Sequence, residues 1–149
     1  MNPRLRERVV RFLDDLRAAE AASAEVVRAW LAVCTADELR GGLRVIAERE
    51  AAHAELLAER LRELGAPSTA AVAEPVRAAA LARFGATGVP DEEKLALVLG
   101  RYPDDEVATR PITALLEQLD HDLETRELLR LVAEGEGATF AWLRAYRGS

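Results

Sequence analysis

Cysteine is almost missing: Cys34 is the only one in 149 residues. One thiol excludes an internal disulfide framework, a cysteine-based zinc site and an iron–sulfur cluster. Aromatic residues are scarce at 5%. The residues that strands prefer give way to Ala, Leu, Arg and Glu, which are strong helix formers. No apolar run approaches the roughly 18 residues of a membrane span. The start, Met1-Asn2-Pro3-Arg4-Leu5-Arg6-Glu7, lacks the apolar stretch of a secretion signal. Positive charge is not in excess: 20 Lys and Arg face 26 Asp and Glu, for a net charge of -6. That balance argues against a nucleic-acid backbone as the main partner. What is present is 50% hydrophobic and 31% charged, in a chain long enough to bury roughly two-thirds of its unfolded surface. The expectation is a cytoplasmic, all-α protein with one domain over 1–149, no nucleic-acid partner and no membrane.

Pro3 suits a first helical turn, and nothing interrupts the pattern until about Cys34. Val9, Phe12, Leu16, Ala19, Ser23, Val26, Trp30 and Val33 recur in steps of three and four, which predicts a long amphipathic helix. Thr35-Ala36-Asp37-Glu38 reads as a capping box, Thr35 and Glu38 exchanging bonds with free amides. A second helix follows from about Ala36 to Leu64, stopped by Gly65 with Pro67 just beyond. The short link makes these an antiparallel hairpin over 4–64. Residues 65–103 collect Pro, Gly, Ser and Thr and predict a crossover with short helices near 73–84 and 91–99. A second hairpin follows over 104–147. Its first helix runs from about Asp104 to Leu119, kinked at Pro111. Asp120-His121-Asp122 then punctuates the chain, and Asp122 or Asp120 caps a helix reaching Tyr146.

The two hairpins repeat. A shift of 86 pairs Glu38 with Glu124, Arg40 with Arg126, Leu43 with Leu129, Arg44 with Arg130, Ala47 with Ala133, Glu48 with Glu134, Glu50 with Glu136, Ala52 with Ala138 and Leu57 with Leu143. The same shift carries Glu20 onto Glu106. Glu20 and Glu50 lie equally far from the first turn, about 22 Å of helix each way. They are therefore expected level with each other on facing helices, and Glu106 and Glu136 likewise.

Those carboxylates interrupt apolar faces. The inward stripe of the second helix is Leu39, Leu43, Ile46, Glu50, His53, Leu57, Leu61 and Leu64. Glu20 sits among Leu13, Leu16, Ser23 and Val27, and Glu136 among Leu129, Val132, Thr139, Leu143 and Tyr146. Three glutamates and one histidine thus point inward. Burying unpaired carboxylates costs several kcal/mol each, and a divalent cation at their centre removes that penalty. The Glu-x-x-His step sets both ligands on one helical face, as bundle-core metal sites require. The step alone arises by chance in Glu-rich helices; burial phase, the level Glu20 and the repeat single this one out.

Glu20, Glu50-Ala51-Ala52-His53, Asp122-Leu123-Glu124-Thr125-Arg126 leading to Glu136, and Trp142-Leu143 carry a resemblance. The chain resembles the ferritin-like superfamily, especially bacterioferritin and rubrerythrin-type domains, over both hairpins and not the crossover. The resemblance implies an antiparallel four-helix bundle of two helical hairpins joined by a long helical crossover. It also implies a di-iron or iron–manganese centre held by four carboxylates and two histidines. Carried over, Glu20 and His53 are terminal ligands while Glu50 and Glu136 bridge. The third-helix carboxylate is Glu106 by the repeat, whereas Asp105 fits the stripe of Ala108, Ile112, Leu115 and Leu119 better. The second motif reads Glu136-Gly137-Ala138-Thr139, with threonine, a poor iron ligand, where the family has histidine. A mononuclear site, a mixed site and an empty relic all remain open.

The implied function is iron handling or di-iron-type oxidoreductase (ferroxidase) chemistry with oxygen or peroxide. One or two iron or manganese ions suit that ligand set, with zinc also admissible. The alternative is a degenerate, metal-free or mononuclear scaffold serving as a structural or protein-interaction module. The single methionine, Met1, excludes a Met-ligated haem, and the single cysteine excludes an appended rubredoxin module. With no fifth helix after the fourth, a homodimer is expected rather than a 24-subunit shell. Gly135 and Gly137 flank Glu136 and read as either close helix packing or a widened cavity. Trp30, Trp142 and Tyr146 read as core anchors, Cys34 as a buried small residue, and His121 as a turn residue.

Overall fold

The structure, a computed structural model, describes residues 1–149. It contains six helices and no strand. Helix α1 spans Pro3–Val33. Pro3 has the fixed φ that suits a first turn, and the Asn2 side chain accepts the Leu5 N–H at 2.8 Å. Helix α2 spans Asp37–Glu63. Here the capping-box expectation fails. Ala36 is the N-cap and makes no side-chain cap bond, because the helix starts one residue later than the box requires and Thr35 falls outside it. Asp37 and Glu38 instead place negative charge in the first turn. Arg40 reaches back to the carbonyls of Leu31 and Cys34, at 2.6 and 2.8 Å, and so satisfies the end of α1.

At its other end α2 stops as Gly65 predicts. Gly65 takes φ +72, its N–H bonds to the Arg62 carbonyl, and the Ala66 N–H bonds to the Leu61 carbonyl. That bond pair is the Schellman arrangement, which needs a left-handed residue. The hairpin is antiparallel, as expected. Arg6 donates to the Leu64 carbonyl, Glu20 meets His53, and Arg28 lies 3.5 Å from Glu48.

Every residue of the predicted α2 stripe from Leu39 to Leu61 is buried. The α1 stripe is displaced. Val9 and Trp30 are buried as expected, and so are Leu13 and Glu20 of the face read around Glu20, but Asp14, Ala18 and Ala24 are buried as well, whereas Phe12, Leu16, Ala19 and Ser23 are not. The reason is that α1 packs against two partners, α2 and α3, so no single periodic face describes it.

Helix α3, Glu74–Phe84, is held to α1 by Arg77, which donates to Glu25 at 2.5 Å, and by the Trp30 and Phe84 rings, 5.5 Å apart. A Cβ on Gly85 would lie 2.8 Å from the Leu81 carbonyl oxygen and 3.6 Å from Ala29 Cβ. Gly85→Ala should therefore cost about 1–3 kcal/mol of stability in denaturant unfolding, and an unchanged midpoint would show that α3 simply slides outward.

Helix α4 spans Asp91–Arg101, α5 Asp105–Leu116 and α6 Leu123–Arg147. Helix α4 runs through Gly100 rather than ending there. Asp104 caps α5 through the Val107 N–H at 2.8 Å. Asp122 caps α6, accepting from the Thr125 N–H at 3.1 Å and from the Thr125 hydroxyl at 2.6 Å. Pro111 lies inside α5, which ends three residues before the expected Leu119. Arg144 near the end of α6 donates to Asp105 at the start of α5 and to the Tyr102 carbonyl, so this hairpin is antiparallel too. Both α5 and α4 pack on α6.

The chain divides into two compact units, residues 1–89 and 90–149. The predicted crossover is thereby shared: α3 belongs to the first unit and α4 to the second. No helix is long and apolar enough to cross a membrane.

Candidate functional site

Glu20 lies two turns beyond Leu13 on the α2-facing side of α1, and Glu50 and His53 lie one turn apart on the inward side of α2. Their exposures are 4%, 5% and 9%. The facing register differs from the symmetric expectation by three residues. His53 rather than Glu50 meets Glu20, with Nδ1 3.1 Å from Oε1. At that distance the buried pair is satisfied either by a proton shared between Nδ1 and Oε1 or by a cation held by both atoms. Glu20 and His53 pair inside the seam between α1 and α2, and Glu50 is buried one turn before His53 on α2: hard oxygen donors beside one borderline nitrogen. Such a set suits iron or manganese and admits zinc.

The second unit meets the expectations only partly. Glu136 is half-buried on α6, and Thr139, one turn on, is buried. Glu106 is a correction. Its side chain is 88% exposed and lies 4.0 Å from Arg110, because α5 buries Ile112 and Leu115 and Glu106 belongs to the opposite face. The alternative, Asp105, is spent on Arg144 at the junction of α5 and α6. Helix α5 therefore brings no buried carboxylate.

Gly137 also changes its reading. A Cβ built there meets no heavy atom within 4 Å, so close packing does not require the glycine. Gly137→Ala should stabilise the protein by about 1 kcal/mol through helix propensity, read as a rise in thermal midpoint. A fall would reveal a bend that the glycine permits. Trp142 is a second correction: it is 36% exposed and stacks on Tyr146 with centroids 5.5 Å apart, so it anchors no core. Trp30 and Cys34 are buried as expected, and His121 is exposed at its turn.

Two buried charged residues escaped the sequence. Asp14 on α1 accepts from Arg17 at 2.8 Å and from the N–H groups of Thr69 and Ala70 at 3.1 and 2.8 Å. Arg17 also donates to the Ala70 carbonyl at 2.7 Å. Lys94 on α4 is 1% exposed. A signal for it was present: among 20 Lys and Arg it is the one lysine.

The chain matches no protein-family model, no curated protein and no solved structure.

Proposed function

We propose that this chain is a ferritin-like metal-binding protein whose two hairpins are the halves of an antiparallel four-helix bundle, and that Glu20, Glu50 and His53 hold one iron or manganese ion. The observation that carries this reading is the burial of two carboxylates with an imidazole on facing helices, joined by the 3.1 Å contact of Glu20 with His53. Buried carboxylates of this kind are costly, and a cation bound between them would offset the cost. One ion is favoured over two. The outward Glu106, the engaged Asp105 and the threonine at position 139 remove the ligands that a second ion needs.

When bound, iron or manganese would supply redox chemistry toward oxygen or peroxide. The chain's part is to exclude water from the buried donors and to hold the Glu20 carboxylate against the His53 imidazole, with Glu50 one turn away on α2. Glu136 is the fourth ligand expected from the repeat. Metal content and calorimetric affinity of Glu136→Ala under anaerobic conditions decide whether it contributes. Glu50→Ala should abolish tight binding and leave helicity unchanged, and a purified protein that takes up no iron, manganese or zinc overturns the proposal.

The loss of α5 carboxylates also favours a second reading, a scaffold that kept the bundle and dropped the metal. Equal melting temperatures with and without metal would support it.

A further inference from the structure

The inward stripes leave an outward pattern unexplained. On α2, Val45 is 55% and Leu56 47% exposed, and Ala52 between them is also exposed. On α6, Leu131, Ala138 and Trp142 are exposed in the same way. The 86-residue shift superposes the two triplets member by member. Steps of seven and four place each triplet on one stripe of its helix. A lone exposed apolar residue is ordinary. The same three-residue stripe, kept outward in both hairpins, is a patterned surface.

Charge selects what covers the α2 stripe. Arg44 flanks its N-terminal end, and Glu55 and Glu59 flank its C-terminal end. All three are exposed, and none takes part in an ion pair within the chain, whereas the neighbouring Glu48 is engaged by Arg28. The pattern is positive at one end and negative at the other, so it complements its own reverse. A second α2 laid antiparallel across the first, with the two-fold axis between residues 50 and 51, sets Val45 against the partner's Leu56 at both ends. The same register places Arg44 between the partner's Glu55 and the partner's Glu59, and Ala52 beside the partner's Arg49. The two apolar contacts then sit about 16 Å apart along the helix. A parallel arrangement sets Arg44 against its own copy and loses every favourable pair. The recess lined by Ala52, Glu55, Leu56, Ala58, Glu59 and Arg62 lies where the partner's Val45 would enter.

We propose that the outward stripe of α2 is a self-complementary interface for a second copy of this chain, antiparallel about residues 50 and 51. The metal ligands of α2 lie on its other face, so this assembly is independent of metal.

Sedimentation equilibrium of the full chain between 1 and 100 µM, with chelator, tests it. The wild type should be a dimer at the upper end, and the Val45→Glu/Leu56→Glu variant a monomer with unchanged far-ultraviolet circular dichroism. Arg44→Glu should raise Kd about tenfold through two lost pairs and the repulsion that replaces them. Arg44→Glu combined with Glu55→Arg should recover most of that loss, which a merely destabilised chain would not do. A wild type that stays monomeric at 100 µM overturns the proposal and hands the stripe to a different protein. A dimer indifferent to Val45→Glu/Leu56→Glu but broken by Leu131→Glu moves the contact to α6 and overturns it equally.

Discussion

Adding ferrous or manganous ion to the metal-free protein under anaerobic conditions should raise its melting temperature by about 5–10 °C. The size follows from linkage: an ion that binds only the folded state at a hundredfold excess over Kd stabilises it by about 2.7 kcal/mol. For a chain of this length each kcal/mol moves Tm by roughly 2–4 °C. The unfolded chain has no preformed site, because Glu20 and His53 are brought together only by the α1–α2 hairpin. Glu50→Gln keeps the shape of the side chain and removes its charge, so it should abolish most of the rise while the metal-free melting curve stays similar. His53→Ala should do the same by removing the nitrogen donor. Glu20→Gln should act more mildly, since it leaves an oxygen beside Nδ1. A wild-type rise equal to that of Glu50→Gln would place any bound metal on surface carboxylates and remove the support for the proposed centre. A rise above what one ion gives, with two ions per chain by elemental analysis, would argue for further ligands beyond these three residues.

The order in which these features became legible has physical causes. The inward stripe of α2 could be read from Leu39 to Leu61 because the helix buries one face, so its apolar period is undisturbed and Glu50 and His53 stand out against it. Helix α1 could not, because α3 and the 66–73 segment claim a second face. A period that serves two partners is the sum of two stripes, and the brightest single stripe missed Asp14 and Ala24. The repeat pairs Glu50, which is buried, with Glu136, which is half-buried. It misled about Glu106, because α5 is short, starts at Asp105 and turns its first-turn acids outward to the solvent and to Arg144. Lys94 was invisible for another reason: a lysine in an amphipathic pattern reads as surface, since charged residues are rarely fully buried. Only its rarity among 19 arginines could have marked it. The caps divided in the same way. Asp122 was readable because a side chain does the capping, whereas the start of α2 is organised by Arg40 from inside the helix, which no local box encodes.

Replacing Asp14 should destabilise the first unit by about 3 kcal/mol, the usual cost of breaking a buried charge-assisted hydrogen-bond set. Its carboxylate is the point at which the chain leaving α2 is tied back to α1. It accepts two backbone N–H groups of the 66–73 segment and the Arg17 guanidinium, which in turn donates to Ala70. Asp14→Ala leaves those N–H groups and a nearly buried arginine without their acceptor, so the loss exceeds that of one surface pair. The same contacts give the effect a pH signature. Burial pushes the Asp14 carboxyl up, but the Arg17 hydrogen bond, the Ala70 and Thr69 N–H groups and the charge of Arg17 together outweigh it and hold the group below its ordinary value. A depressed folded value means that the carboxylate's stabilisation is fully present above the unfolded value near pH 4 and is lost as pH falls through the folded one. The stability difference between wild type and Asp14→Asn, measured by urea unfolding, should therefore be flat from pH 7 to pH 5 and shrink steadily below pH 4. Other carboxylates, Glu127 beside Arg130 among them, titrate identically in both proteins and cancel from the difference. A difference that stays constant to pH 2.5 would mean that the neutral acid serves the clamp as well as the carboxylate does, and that packing rather than charge fastens this segment to α1.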